Sequence, residues 1–108
     1  MMGELRFGQI VLLKFPFTDG RTSKKRPALI LRDSQDGDIL VCRITSKLYD
    51  TLFDVKLKRW EVHGLRLPSV LRVHKIATLE KDIVDLKIVE LDKPAQLKVK
   101  RIFKKLIV

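Results

Sequence analysis

The segment PALILRDSQDGDILVCRITS, residues 27–46, decides the fold class. Pro27 opens a short apolar run, Ala28 to Leu31, and proline is tolerated at the first residue of a strand. Asp36-Gly37 supplies the positive φ that a tight hairpin turn requires. Residues 38–44 return as a second apolar run that ends at Thr45–Ser46. Two apolar runs around an Asp-Gly turn read as a β-hairpin.

Working outward, residues 9–15 form another apolar run of strand length, closed by Phe15-Pro16. Thr18 to Lys25 carries three cations among turn formers and reads as a mobile loop. Residues 52–57 alternate apolar and polar with period two, as a half-buried strand does. The stretch 58–68, with Trp60, Gly64 and Pro68, reads as a loop. Strands follow at 69–76 and 86–91, with a short turn or helix near 79–83. Five or six short strands at these spacings predict a mainly β fold, a small antiparallel barrel. The tail changes period: Val99, Ile102, Phe103 and Leu106 fall on one face of a helix. Asp92 suits its N-cap and Pro94 its first turn, which places a C-terminal helix at about 93–107. The reading is one domain over 1–108, with the barrel at about 8–91.

With 108 residues, the chain suits one core better than two. No stretch approaches the roughly 18–20 apolar residues of a membrane span. The N-terminus lacks a charged-then-apolar signal, so a cytoplasmic location and no membrane partner are expected. Cys42 is the sole cysteine and sits in an apolar run, where a buried inert thiol is the expectation. One Cys and two His, His63 and His74, show no metal-ligand spacing, and no cofactor is expected. The net charge of +10 and a pI near 10.1 favour a polyanionic partner. Residues 93–108 alone contribute +6, and residues 1–92 only +4. Most of the excess therefore belongs to the helix, whose lysines turn outward once its apolar stripe docks.

Candidate chemistry lies elsewhere. Arg26, beside Lys24 and Lys25 at the exit of the basic loop, can grip a phosphate through two parallel N–H bonds, or serve as a plain strand-end cation. Thr45 and Ser46 end a strand with two hydroxyls able to donate to a phosphate oxygen, or simply to close a turn. Regular strand geometry puts Arg72 and His74 on one face, about 7 Å apart. They join a permanent cation to the side chain best suited to proton transfer near neutral pH. That pair suits RNA cleavage by the substrate's own 2′-hydroxyl, which needs a base, a proton for the leaving 5′-oxygen and cations for the phosphorane, and no metal. Trp60 is placed to stack on a base or to plug the barrel mouth.

Four blocks in this order carry a family resemblance: residues 8–19 (GQIVLLKFPFTD), 24–31 (KKRPALIL), 44–46 (ITS) and 67–81 (LPSVLRVHKIATLEK). Collinear from about Gly8 to about Leu91, they resemble the PemK/MazF toxins of type II toxin–antitoxin systems. The resemblance implies an SH3-like barrel of the MazF, Kid and CcdB kind, usually a homodimer. It further implies a metal-independent, sequence-specific endoribonuclease of single-stranded mRNA that leaves a 2′,3′-cyclic phosphate. A cognate antitoxin is the implied protein partner. By position, Arg26 matches the family's catalytic arginine before proline, and Thr45 its strand-end threonine. Arg72 matches an arginine acting as acid or phosphate stabiliser in the Kid branch. His74 stands where that branch has an aspartate as general base, a departure that changes the reference pKa from about 3.9 to about 6.5. Two other readings of the same barrel are a gyrase-binding toxin of the CcdB kind and an RNA-binding barrel without cleavage.

Overall fold

A computed structural model of the chain describes residues 3–16, 23–59, 61, 62 and 64–107. The hairpin read from residues 27–46 is formed by β2 (Ser23–Asp33) and β3 (Asp38–Thr45). They pair antiparallel from Ala28–Arg43 to Asp33–Ile39, with a bulge between Ile30 and Arg32. Gly37 takes φ +96°, the left-handed region that glycine enters without steric cost. Around the hairpin lie β1 (Gln9–Pro16), β4 (Asp54–Leu57), β5 (Ser69–Glu80) and β6 (Val84–Glu90). All pair antiparallel in one sheet of order β4-β5-β3-β2-β1-β6.

Strand alternation divides the apolar side chains between the two faces. On one face Ile10, Leu29, Cys42, Ile44 and Leu71 pack with Val99 and Ile102 of the helix α1 (Lys93–Leu106). On the other, Val11, Leu13, Ala28, Ile30 and Val41 form a second cluster with Leu5. Each fully buried Leu or Ile contributes about 1.5–3 kcal/mol relative to exposure. Cys42 is fully buried, and burial pushes its thiol up to about 12, as an inert core residue requires.

The expected caps hold α1. Asp92 accepts from the Ala95 N–H at 2.9 Å, Pro94 lies in the first turn, and Lys104 and Lys105 complement the dipole in the last. Where α1 docks, Gly8 is necessary: φ is +98°, and a Cβ would stand 2.7 Å from Gln96 Nε2. That amide donates to the Leu91 carbonyl at 2.6 Å, and the Leu91 N–H donates to the Gly8 carbonyl at 2.7 Å. Among the described residues no helix is long and apolar enough to cross a membrane.

Three local expectations change. Part of the expected basic loop, residues 18–22, lies outside the described residues, but Lys24 and Lys25 are strand residues facing β1, as is Arg26, opposite Leu13. β2 passes through Pro27 because its pairing with β3 stops at Ala28, and the missing N–H is not needed there. β5 continues to Glu80 instead of stopping at Ile76, and the turn expected near 79–83 is a 3₁₀ helix at Lys81–Ile83.

Candidate phosphate-binding site

The site follows from register. Arg43 of β3 stands opposite Ala28 on one side and Arg72 of β5 on the other, and Arg72 stands opposite Asp54 of β4. Arg26 and Thr45 each lie two residues beyond the Ala28–Arg43 pair, so both share its face. That face carries an open cleft of about 450 Å³ with a floor of Leu13, Ala28 and Val41 and a rim of Arg26, Arg43 and Lys75.

Two arginines directly opposed across strands repel one another. Asp54 offsets this at Arg72: its Oδ1 accepts from Arg72 Nε at 2.9 Å, with side-chain exposures of 9% for Arg72 and 1% for Asp54. Its Oδ2 accepts from the Thr51 hydroxyl at 2.7 Å and the Thr51 N–H at 2.9 Å. Burial alone would raise the Asp54 carboxyl; the bonds from Thr51 and Arg72 outweigh it and hold it below the ordinary value. The Arg72 guanidinium also stacks on Tyr49, its Cζ 3.6 Å from the ring centroid. Among the described residues only Nε of Arg72 makes a hydrogen bond, so the terminal nitrogens keep their donors.

Thr45 closes β3 with a turn in which its Oγ1 accepts from the Lys47 N–H at 3.2 Å. The hydroxyl proton is still available to a phosphate oxygen. Lys47 first, and then Arg72 and Arg43, hold the Tyr49 phenol's pKa below the ordinary value. Lys24 is exposed and shares the face of Arg26.

Neighbouring residues of a strand point oppositely, which separates the other candidates. Lys25 pairs with Asp85 at 3.0 Å and, with Ser46 and Arg66, lines a second cleft of about 560 Å³. Arg72 and His74 do not keep the expected two-residue repeat. Residues 73–75 of β5 have no counterparts on β3, because Ile76 pairs with Cys42 while Arg72 pairs with the next residue, Arg43. An insertion of this kind re-aims the side chains that follow it. His74 is half-buried, its ring 5.0 Å from that of Phe53, and its Nδ1 is buried with no hydrogen-bond partner among the described residues. Both residues still reach the same segment, Arg72 at Tyr49 and Asp54, His74 at Phe53. Trp60 and His63 lie outside the described residues.

The sequence reading passed over Arg43, Lys47, Tyr49, Asp54 and Lys75. Arg43 falls within the apolar run 38–44, and nothing local reports that it faces Arg72. Among the described residues no three of His, Cys, Asp or Glu are grouped to hold a metal ion.

Comparison with solved structures places this fold beside known toxins. The chain resembles the MazE–MazF complex of Deinococcus radiodurans at 21% identity, covering 97% of each chain with a TM-score of 0.79. It resembles a mycobacterial endoribonuclease in complex with its cognate antitoxin at 16% identity, covering 95% of this chain and 94% of that one, TM-score 0.75. Mycobacterium tuberculosis toxin MazF-mt6 matches at 19% identity, covering 90% and 95%, TM-score 0.71. These define a MazF-like fold. No curated protein matches by sequence. Residues 6–107 match the family model of PemK-like, MazF-like toxins of type II toxin–antitoxin systems, and the chain belongs to that family.

Proposed function

We propose that this toxin is an endoribonuclease that cuts single-stranded mRNA at short sequences through attack of the RNA's own 2′-hydroxyl, leaving a 2′,3′-cyclic phosphate. The observation that carries the reading is the shared face of Arg26, Arg43, Thr45 and Arg72. Three guanidinium groups and a hydroxyl donor meet there beside an open cleft, within the fold of proteins described as endoribonucleases. Fixed donors aimed at developing charge are worth most where water is excluded, and Arg72 is nearly buried.

Arg26 and the terminal nitrogens of Arg72 bind the non-bridging oxygens of the phosphorane, and Thr45 donates its hydroxyl proton to the same group. His74 takes the 2′-hydroxyl proton. Lys24 contacts a flanking phosphate; Lys25, Ser46 and Trp60 serve the RNA beyond the scissile bond. The route needs no metal, because charge on phosphorus is met by arginine. A homodimer and a cognate antitoxin complete the proposal, the latter supported by the neighbours crystallised with theirs.

The test is incubation of the purified protein with a long single-stranded RNA in EDTA, with the new ends mapped. Cutting to cyclic phosphate ends is expected, and Arg26→Ala should slow it by about 10²–10³. RNA left intact at high protein excess overturns the proposal and favours a toxin that acts by protein binding. His74→Gln should abolish one limb of the pH–rate profile; an unchanged profile removes His74 from the mechanism.

A further inference from the structure

The 2′-hydroxyl route needs a proton for the departing 5′-oxygen, and Arg72 is poorly built to give one. A guanidinium does not deprotonate in proteins, and the Asp54 carboxylate accepts from Arg72 Nε at 2.9 Å. The half-buried side chain lying on it is Tyr49, whose ring centroid is 3.6 Å from Arg72 Cζ. Lys47 completes the group, its Nζ 5.0 Å from the same centroid. Tyr49 follows Thr45 on the segment leaving β3, and its ring rests on Arg72, a member of the cluster that would hold the scissile phosphate.

We infer that Tyr49 is the general acid of the reaction, donating its phenolic proton to the 5′-oxygen while Arg72 beneath it stays a fixed cation. This rests on the ribonuclease reading above. The 2′-oxygen forms a bond to phosphorus as its proton passes to the base. The bond from phosphorus to the 5′-oxygen breaks with its electron pair on oxygen, which takes the Tyr49 proton and leaves as a 5′-hydroxyl. The remaining tyrosinate stands among Lys47, Arg43 and Arg72, and exchange with water returns its proton and discharges the base. The same surroundings hold the phenol's pKa below the ordinary value, first through Lys47 and then through the charges of Arg72 and Arg43. Positioned acids contribute about 10²–10⁴ in rate.

The experiment exploits the leaving group. After the cut site is mapped, two oligonucleotides are compared, one with the natural linkage and one with sulfur replacing the bridging 5′-oxygen there. A thiolate departs without a proton. Tyr49→Phe keeps the ring on Arg72 and should cut the natural RNA about 10²–10³ more slowly, yet cut the sulfur-bridged RNA at close to the wild-type rate. Arg26→Ala, which removes a phosphate contact, should be slow on both. Equal loss of Tyr49→Phe on the two substrates, or no loss on either, overturns the inference while leaving the ribonuclease reading intact. Wild-type protein that cuts neither RNA overturns both.

Discussion

Two buried carboxylates, Asp33 and Asp54, each 1% exposed in the side chain, hold a cation from β5 or its C-terminal turn, and they are used differently. Asp33 accepts from Lys81 Nζ at 2.6 Å, from the Leu5 N–H at 2.9 Å and from the Gln35 N–H at 2.9 Å. Those bonds tie the N-terminal segment and the hairpin turn to the 3₁₀ helix that follows β5. Lys81 first, then the two N–H groups, bring the Asp33 carboxyl down to about 2. Asp54 satisfies its own oxygens equally well, but its partner does not finish there: Arg72 keeps its terminal nitrogens free of hydrogen bonds among the described residues and lies under Tyr49. A buried ion pair whose carboxylate also collects two backbone N–H groups from distant segments is structure. One that fixes a guanidinium by Nε and leaves its terminal nitrogens without hydrogen bonds among the described residues is a device for holding charge against a ligand.

That contrast orders the expected effects of mutation. Arg72→Ala should cost the most in function, about 10²–10³ in single-turnover cleavage of RNA, because a transition-state cation is lost. Asp54→Asn keeps the shape but removes the charge that aligns Arg72, so a smaller loss of rate should accompany a lower Tm. If Tm falls and rate does not, the Asp54 pair is as purely structural as the Asp33 pair and the contrast fails. Lys81→Ala should leave cleavage per folded molecule unchanged and lower Tm at neutral pH. Its pH dependence has a definite sign. Asp33 is shifted down from 3.8 to about 2, so its contribution is complete above about 3.8 and disappears as pH falls through about 2. The Tm gap between Lys81→Ala and the parent should therefore narrow as pH drops across that window; a constant gap means Lys81 acts by packing alone. Least of all, Lys104→Ala on α1 should change the salt slope of RNA binding by about 0.7 at most, with rate and Tm unmoved.

Much of the fold was legible locally. The Asp36-Gly37 hairpin, the apolar run that became β1 and the i, i+3, i+4, i+7 stripe of α1 are short-range patterns, and each element formed within a residue or two of its reading. The extension of β5 to Glu80 was not legible, because Ala77, Thr78, Leu79 and Glu80 are recruited as strand by Asp38 to Val41. The start of β2 at Ser23 escaped for the same reason, since only pairing to β1 makes Lys24 and Lys25 strand residues. Of the site, Arg26, Thr45 and Arg72 were legible as residue types at strand ends and in ordered blocks. Their grouping with Arg43, Lys75 and Tyr49 was not.

By itself, the sequence determined which segments are strand and helix, where the caps and the hairpin turn fall, that Cys42 is core, and to which toxin family the ordered blocks point. These depend on side-chain period and turn chemistry within a few residues. Only the tertiary structure decided that Arg43 faces Arg72, that Asp54 takes one edge of that guanidinium and Tyr49 covers it, and that His74 falls among the residues of β5 without counterparts on β3. Register between strands distant in the chain sets those relations, and a shift of one residue turns every side chain to the opposite face.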